Sequence, residues 1–142
     1  MDSEHLYVGE STIPNIGMGL FTKEDIKKGT LIIEYVGEIT KWEAVRYDPS
    51  NAYLYYVNDD YVINAKDRPE VIARYANDAY GLTKINGLHN NSRFVNVNGR
   101  IFIKSTRNIR AGSEILVNYG KGYWETVREN VKHETANRRR EE

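Results

Sequence analysis

Chemistry in this 142-residue chain rests mainly on tyrosine. Cysteine is absent, and His5, His89 and His133 stand apart at no ligand spacing. Thiol nucleophiles, disulfides and zinc ribbons are therefore excluded, and no metal site is expected. Eleven tyrosines stand against three phenylalanines and two tryptophans. Each tyrosine ring offers a large apolar face and a hydroxyl that needs a partner, which suits the wall of a polar-tipped channel. Two of them sit where apolar strands break at glycine, Tyr35 before Val36-Gly37 and Tyr119 before Gly120. A phenol with a pKa near ~10 keeps its proton at neutral pH, so such a group suits positioning, as donor and dipole, better than proton removal. By itself, Tyr119 also fits a core residue that ends a strand with its hydroxyl at the surface.

The elements that must position these tyrosines are short. Leu31 to Val36 and Glu114 to Val117 read as buried strands. Each follows a similar turn, Asp25-Ile26-Lys27-Lys28-Gly29-Thr30 and Asn108-Ile109-Arg110-Ala111-Gly112-Ser113, which suggests two related arms of one β architecture. Tyr53 to Val57 and Tyr61 to Asn64 form an expected hairpin. A second hairpin is expected around Asn98-Gly99, because a type I′ turn wants positive φ at both central residues. Thr40-Lys41-Trp42-Glu43 has the form of a capping box and predicts a helix to about Tyr47. Asp67-Arg68-Pro69-Glu70 predicts another helix start, and Trp124, Val127 and Val131 fall at helical spacing. Between Asn77 and Asn91 periodicity disappears, in a loop long enough to be functional.

Lys+Arg and Asp+Glu balance at 20 each, so bulk charge points to neither nucleic acid nor an acidic membrane. With no apolar run of membrane length and no basic-headed leader, the expectation is a soluble intracellular protein without a direct nucleic-acid partner. Arg138-Arg139-Arg140 reads as a solvated tail. Phosphate-binding G-x-x-x-x-G-K, G-x-S-x-G and alternating strand–helix patterns are missing, which removes the common nucleotide and hydrolase readings.

Six segments, in order, resemble the SET-domain protein lysine methyltransferases. They are Gly17-Met18-Gly19-Leu20-Phe21, Tyr35-Val36-Gly37-Glu38, Asn51-Ala52-Tyr53-Leu54-Tyr55, Ala73-Arg74-Tyr75-Ala76-Asn77, Asn91-Ser92-Arg93-Phe94 and Glu114 to Trp124. The resemblance covers about three quarters of the chain. It implies a mostly β fold with short helices, the SET-domain β-clip, with a C-terminal knot-like threading of residues 114–119 through a loop made by residues 74–91. The SET domain would occupy residues 1–124, with core motifs in 17–124 and a variable insert at about 40–72, and residues 125–142 would form a C-terminal helix and charged tail.

By the same resemblance S-adenosyl-L-methionine would bind one face, and a lysine of a protein or peptide substrate would enter from the other. Gly17, Met18, Gly19, Tyr53, Arg74, Asn77, Asp78 and Trp124 would contact the cofactor. Tyr35 and Tyr119 would serve catalysis, and Phe94, Val117 and Tyr123 would line the channel, with Tyr123 and Trp124 as its lid. Phe94 and Val117 carry no hydroxyl to anchor a water near the amine, so dimethyl or trimethyl lysine is an expected product. Two features depart from the family pattern: Asp78 stands where most relatives carry histidine, and cysteine-rich flanks are missing, as in a minimal member. The first keeps a non-catalytic SET-like binding module in view, beside methyl transfer to a small amine. The second favours a cytoplasmic setting unless the substrate is a histone.

Overall fold

A computed structural model describes residues 4–46, 53–80 and 87–119. Three small sheets make up most of it. β1 (Leu6–Glu10) pairs antiparallel with β2 (Met18–Thr22). β3 (Leu31–Glu34), β7 (Ser92–Val97), β8 (Arg100–Ser105) and β9 (Val117–Asn118) form a four-stranded sheet in the order β3-β8-β7-β9. β4 (Glu38–Thr40), β5 (Leu54–Asn58) and β6 (Tyr61–Asn64) form the third, with β6 in the centre. Leu20, Ile32, Ile101, Ile103, Ile115, Val62 and Val117 are fully buried between them. Burying such side chains contributes about 1.5–3 kcal/mol each. Among the described residues no helix is long and apolar enough to cross a membrane.

Both expected hairpins form. Asn98 (φ 53°) and Gly99 (φ 87°) make the left-handed turn between β7 and β8. The two related turns also meet, and they do so reciprocally. Ile26 N–H donates to Ile109 O at 2.7 Å and Ile109 N–H to Ile26 O at 2.8 Å. Lys28 N–H donates to the Asn108 side chain at 2.9 Å, and Ala111 N–H to the Asp25 carboxylate at 2.8 Å. Gly29 N–H reaches Ser105 O at 2.9 Å, as Gly112 N–H reaches Thr22 O at 2.7 Å. This pseudo-twofold clasp is the two-armed architecture expected from the repeated segment.

The helix expected after Thr40 forms as a single turn, and the one expected after Asp67 only as a 3₁₀ turn. Thr40 is used as a ladder residue opposite Val62, so its side chain caps nothing, and the one-turn helix α1 (Trp42–Val45) starts after Lys41 without a side-chain cap. Tertiary contacts hold it instead: Trp42 N–H donates to Asp59 O at 2.9 Å, and the Trp42 ring meets Tyr56 edge to face. After Pro69 the chain makes only a 3₁₀ turn, Ile72–Tyr75. There Arg74 reaches back to Ala65 O at 2.9 Å and Lys66 O at 2.7 Å, which ties this segment to the end of β6. The expected helix after Trp124 lies outside the described residues.

Gly37 shows why a glycine follows Tyr35. A Cβ there would sit 2.5 Å from Asn64 O and 2.7 Å from Asn64 C, so any side chain would push β4 off β6.

Candidate active site

Four aromatic side chains from four parts of the chain converge on one cavity. Tyr35 follows β3 and is buried, with its N–H bound to Ile101 O at 2.8 Å and its hydroxyl donating to Tyr53 O at 2.9 Å. Tyr55 comes from β5 and Phe94 from β7. Tyr119 follows β9 and donates its hydroxyl proton to Ala76 O. Phe94 is the hub: its ring meets Tyr35 edge to face at 5.8 Å, Tyr55 at 4.8 Å, and stacks with Tyr119 at 6.2 Å. With Leu54, Arg74 and Ala76 these rings enclose about 40 Å³. A single water needs roughly 10–15 Å³ by the same measure, so the space suits a small polar head and excludes a bulky one. Burial pushes the Tyr55 phenol up, so it stays protonated well into the alkaline range.

Next to the cavity, the Gly17-Met18-Gly19 strand is drawn in by two polar side chains. Asn77 Nδ2 donates to Met18 O at 2.9 Å and to Glu114 Oε2 at 3.3 Å. Glu114 is buried, and it also accepts from Ser11 Oγ at 2.8 Å, from Thr12 N–H at 2.8 Å and from Thr12 Oγ1 at 2.6 Å. One carboxylate therefore gathers the N-terminal segment, the glycine strand and Asn77. Met18 is half exposed beyond it. Arg74 lies across the Tyr53 ring, its guanidinium carbon 4.3 Å from the ring centre. Its Nε is buried and finds no hydrogen-bond partner among the described residues. Arg74 itself lines the cavity, and an unsatisfied guanidinium N–H is the kind of donor that a carboxylate takes.

Behind the cavity the C-terminal segment is held on both sides. Val117 N–H donates to Asn77 O at 2.8 Å, while Asn91 and Ser92 N–H both reach Leu116 O. β9 runs parallel to β7, pairing Ser92 with Val117 and Arg93 with Asn118. Residues 115–118 thus lie between Asn77 and Asn91. Residues 81–86 of the expected loop lie outside the described residues, as do Tyr123 and Trp124, expected as a lid.

The structure brings Tyr35, Tyr119, Phe94 and Arg74 to one cavity, with Tyr53 beneath Arg74 and Asn77 joined to Met18. It places Val117 in the core, fully buried and away from the cavity lining. Asp78 turns inward with both carboxylate oxygens engaged by the protein. The Tyr119 hydroxyl, expected as a donor to an amine, here donates its proton to Ala76 O. Tyr55, Leu54, Ala76 and Glu114 fall within the matched segments but are not among the site residues expected from the sequence. The available signal for Glu114 was a lone carboxylate opening an otherwise apolar strand, and for Leu54 and Tyr55 their place in the hairpin beside Tyr53.

Together these features define a mostly β domain whose rings close over a small cavity beside a glycine-rich strand. A match to the SET domain family covers residues 17–120, and the chain belongs to that family. The chain is 29% identical over 126 residues to the H3 lysine-4 specific histone-lysine N-methyltransferase of Schizosaccharomyces pombe, covering 82% of this chain and 13% of that protein. It is 30% identical over 122 residues to histone-lysine N-methyltransferase trr of Drosophila melanogaster, covering 81% of this chain and 5% of that protein. The H3 lysine-36 specific enzyme of Mus musculus is 32% identical over 111 residues, covering 72% of this chain and 4% of its own length. The chain thus spans only a small part of these relatives. Among solved structures, the methyltransferase domain of human PR domain-containing protein 2 superposes with a TM-score of 0.61 at 27% identity, over 83% of this chain and 78% of that one.

Proposed function

We propose that this chain is an S-adenosyl-L-methionine-dependent protein lysine N-methyltransferase, with the side-chain amine entering the ring-lined cavity. The observation that carries this reading is the convergence of Tyr35, Tyr55, Phe94 and Tyr119 around about 40 Å³. The named activities of the relatives support it, and they make histones the first substrate to try and the nucleus the first place to look. Residues beside the cavity fit the cofactor: the Arg74 Nε–H has no partner among the described residues and can take an amino-acid carboxylate, and the Met18 strand is open on its outer side. Gly17, Met18, Gly19, Tyr53, Arg74 and Asn77 would hold it. When bound, it supplies an electrophilic methyl on a positively charged sulfur.

The chain's own residues have two tasks. The first is to present lysine as the neutral amine, which from a pKa near ~10.4 costs roughly 4.6 kcal/mol at pH 7. Aromatic walls that shed water disfavour the ammonium, and so does any cation nearby; Arg74 already stands in the wall. The second task is orientation. The Tyr35 and Tyr119 hydroxyls are both fixed by backbone carbonyls, so their dipoles would be oriented before an amine arrives. The amine nitrogen would take the methyl group from the cofactor, and the proton that the product nitrogen then carries would pass to water. Holding the amine in line in this way can be worth ~7–11 kcal/mol.

The test supplies labelled cofactor with histones, ribosomal proteins, a small-amine panel and a cell lysate, and measures cofactor affinity by calorimetry. Transfer to protein lysine is the expected result. Transfer only to small amines would give the site a different substrate. No cofactor binding at millimolar concentration would leave a binding module in place of an enzyme.

A further inference from the structure

Tyr119 stands one residue past the last ladder pair, Arg93 with Asn118, so β7 no longer fixes its backbone. Its amide is nonetheless held, by Asp78 Oδ2 at 2.9 Å. The other oxygen of the same carboxylate accepts from Tyr80 N–H at 2.8 Å and from Asn90 Nδ2 at 2.8 Å, while Asn90 Oδ1 accepts from Ala79 N–H at 2.8 Å. Asp78 is 7% exposed and Asn90 9%. Bonds to a carboxylate are roughly twice as strong as neutral ones, and burial limits their competition with water. The far end of Tyr119, its hydroxyl, is bound by Ala76 O. The backbone amide and the side-chain hydroxyl of one residue are thus both gripped by a three-residue stretch, and its middle residue, Asn77, is itself bound to Met18 O and Val117 N.

We infer that Asp78 is a positioning residue for Tyr119: with Ala76 it spans the tyrosine from amide to hydroxyl and sets where the ring and its oxygen stand over the cavity. This rests on the proposed methyl transfer for its kinetic consequence, and on geometry alone for its structural one. Because both carboxylate oxygens are spent on protein donors, Asp78 acts through Tyr119 rather than on the cofactor.

The experiment uses the full chain and its Asp78→Asn variant, which keeps the shape but loses the charge and turns an N–H toward one of the donors. Three quantities are read: kcat for methyl transfer, the Kd for S-adenosylhomocysteine, and hydrogen exchange at individual amides. Misplacing an orienting group costs on the order of 10- to 100-fold, and a drop of that size in kcat is expected, with the Kd changed less than about threefold. Exchange at the Tyr119 amide should speed about tenfold or more, while Ile103 stays protected, as expected when a charge-assisted bond is lost from one site. A weakened Kd with unchanged kcat, or unaltered exchange at Tyr119, overturns the inference. If the variant does not fold, the wild-type chain still decides: Tyr119 should exchange as slowly as Val117, and exchange at the rate of an open terminus overturns it. A wild-type chain that methylates no lysine would sink the functional reading, while the exchange measurement would still judge the clamp.

Discussion

Gly19 and Glu114 occupy what would be one residue's space: a Cβ on Gly19 would lie 2.2 Å from Glu114 Oε2 and 2.9 Å from its carboxyl carbon. The second glycine of the Gly17-Met18-Gly19 strand is therefore needed to let a buried carboxylate pass, whatever it also does for a ligand. Gly19→Ala should destabilise the fold by about 1–3 kcal/mol, the usual cost of overpacking. Chemical denaturation reads this directly, and an unchanged midpoint would show that the carboxylate can move aside.

Glu114→Gln tests the same cluster from the other partner. The amide keeps the volume but presents donors to groups that are already donors, Thr12 N–H among them. A loss of about 1–3 kcal/mol is expected for the unsatisfied contacts. Cofactor affinity should fall with it, because Asn77 and the Met18 strand lose a shared anchor. Affinity that survives while stability falls would separate the anchor from the binding strand.

Tyr119→Phe and Tyr35→Phe each remove one hydroxyl fixed on a carbonyl. Loss of one preorganised polar contact typically lowers kcat by about 10²–10³-fold. Tyr119→Phe should show this with the melting temperature shifted only slightly, since one neutral hydrogen bond contributes about 1 kcal/mol net. Tyr35 is buried and its loss should weigh more on stability.

How much of this was legible in the sequence depended on range. The turn at Asn98-Gly99 is specified by its two residues and formed as read. The helix start at Thr40 was locally sound, yet pairing with Val62 across the sheet outweighed it, because a cap contributes only about 1 kcal/mol. Tyr35, Tyr119 and Phe94 could be named from motif order. Tyr55 could not, since its part in the cavity comes from Phe94, far along the chain and 4.8 Å from it in space. Asp78 can be singled out beside Asn77, but its side-chain partners Asn90 and Tyr119 cannot, because they are set by the crossing of distant segments.

Phe94 contributes the one ring among the four that carries no hydroxyl. Phe94→Tyr would bring a further oxygen toward a cavity of only about 40 Å³. The product should shift toward monomethyl lysine, read by mass spectrometry of the modified peptide. An unchanged product distribution would mean that ring volume, rather than an anchored water, sets the limit.

At the edge of the fold, Arg100 grips Glu34 through Nε at 3.0 Å and Nη2 at 2.8 Å. Those bonds hold the Glu34 carboxyl below the usual carboxylate range, against an opposing push from desolvation. A carboxylate with a lowered folded pKa stabilises the fold above its unfolded value, near ~4.3, and that contribution is lost as pH falls through the lowered value. Arg100→Gln should flatten this part of the acid unfolding curve. Salt should do the same in part in the wild type, since the Arg100 side of the pair is exposed.

The seating of residues 115–118 between Asn77 and Asn91 also sets an order in time. A ribosome releases Tyr35, Tyr55 and Phe94 well before Tyr119, and until that last residue emerges the cavity lacks a wall. Contacts between such distant segments form slowly. A nascent chain carrying most of the rings therefore lacks the complete cavity, which should form in one late step as residues 115–119 dock.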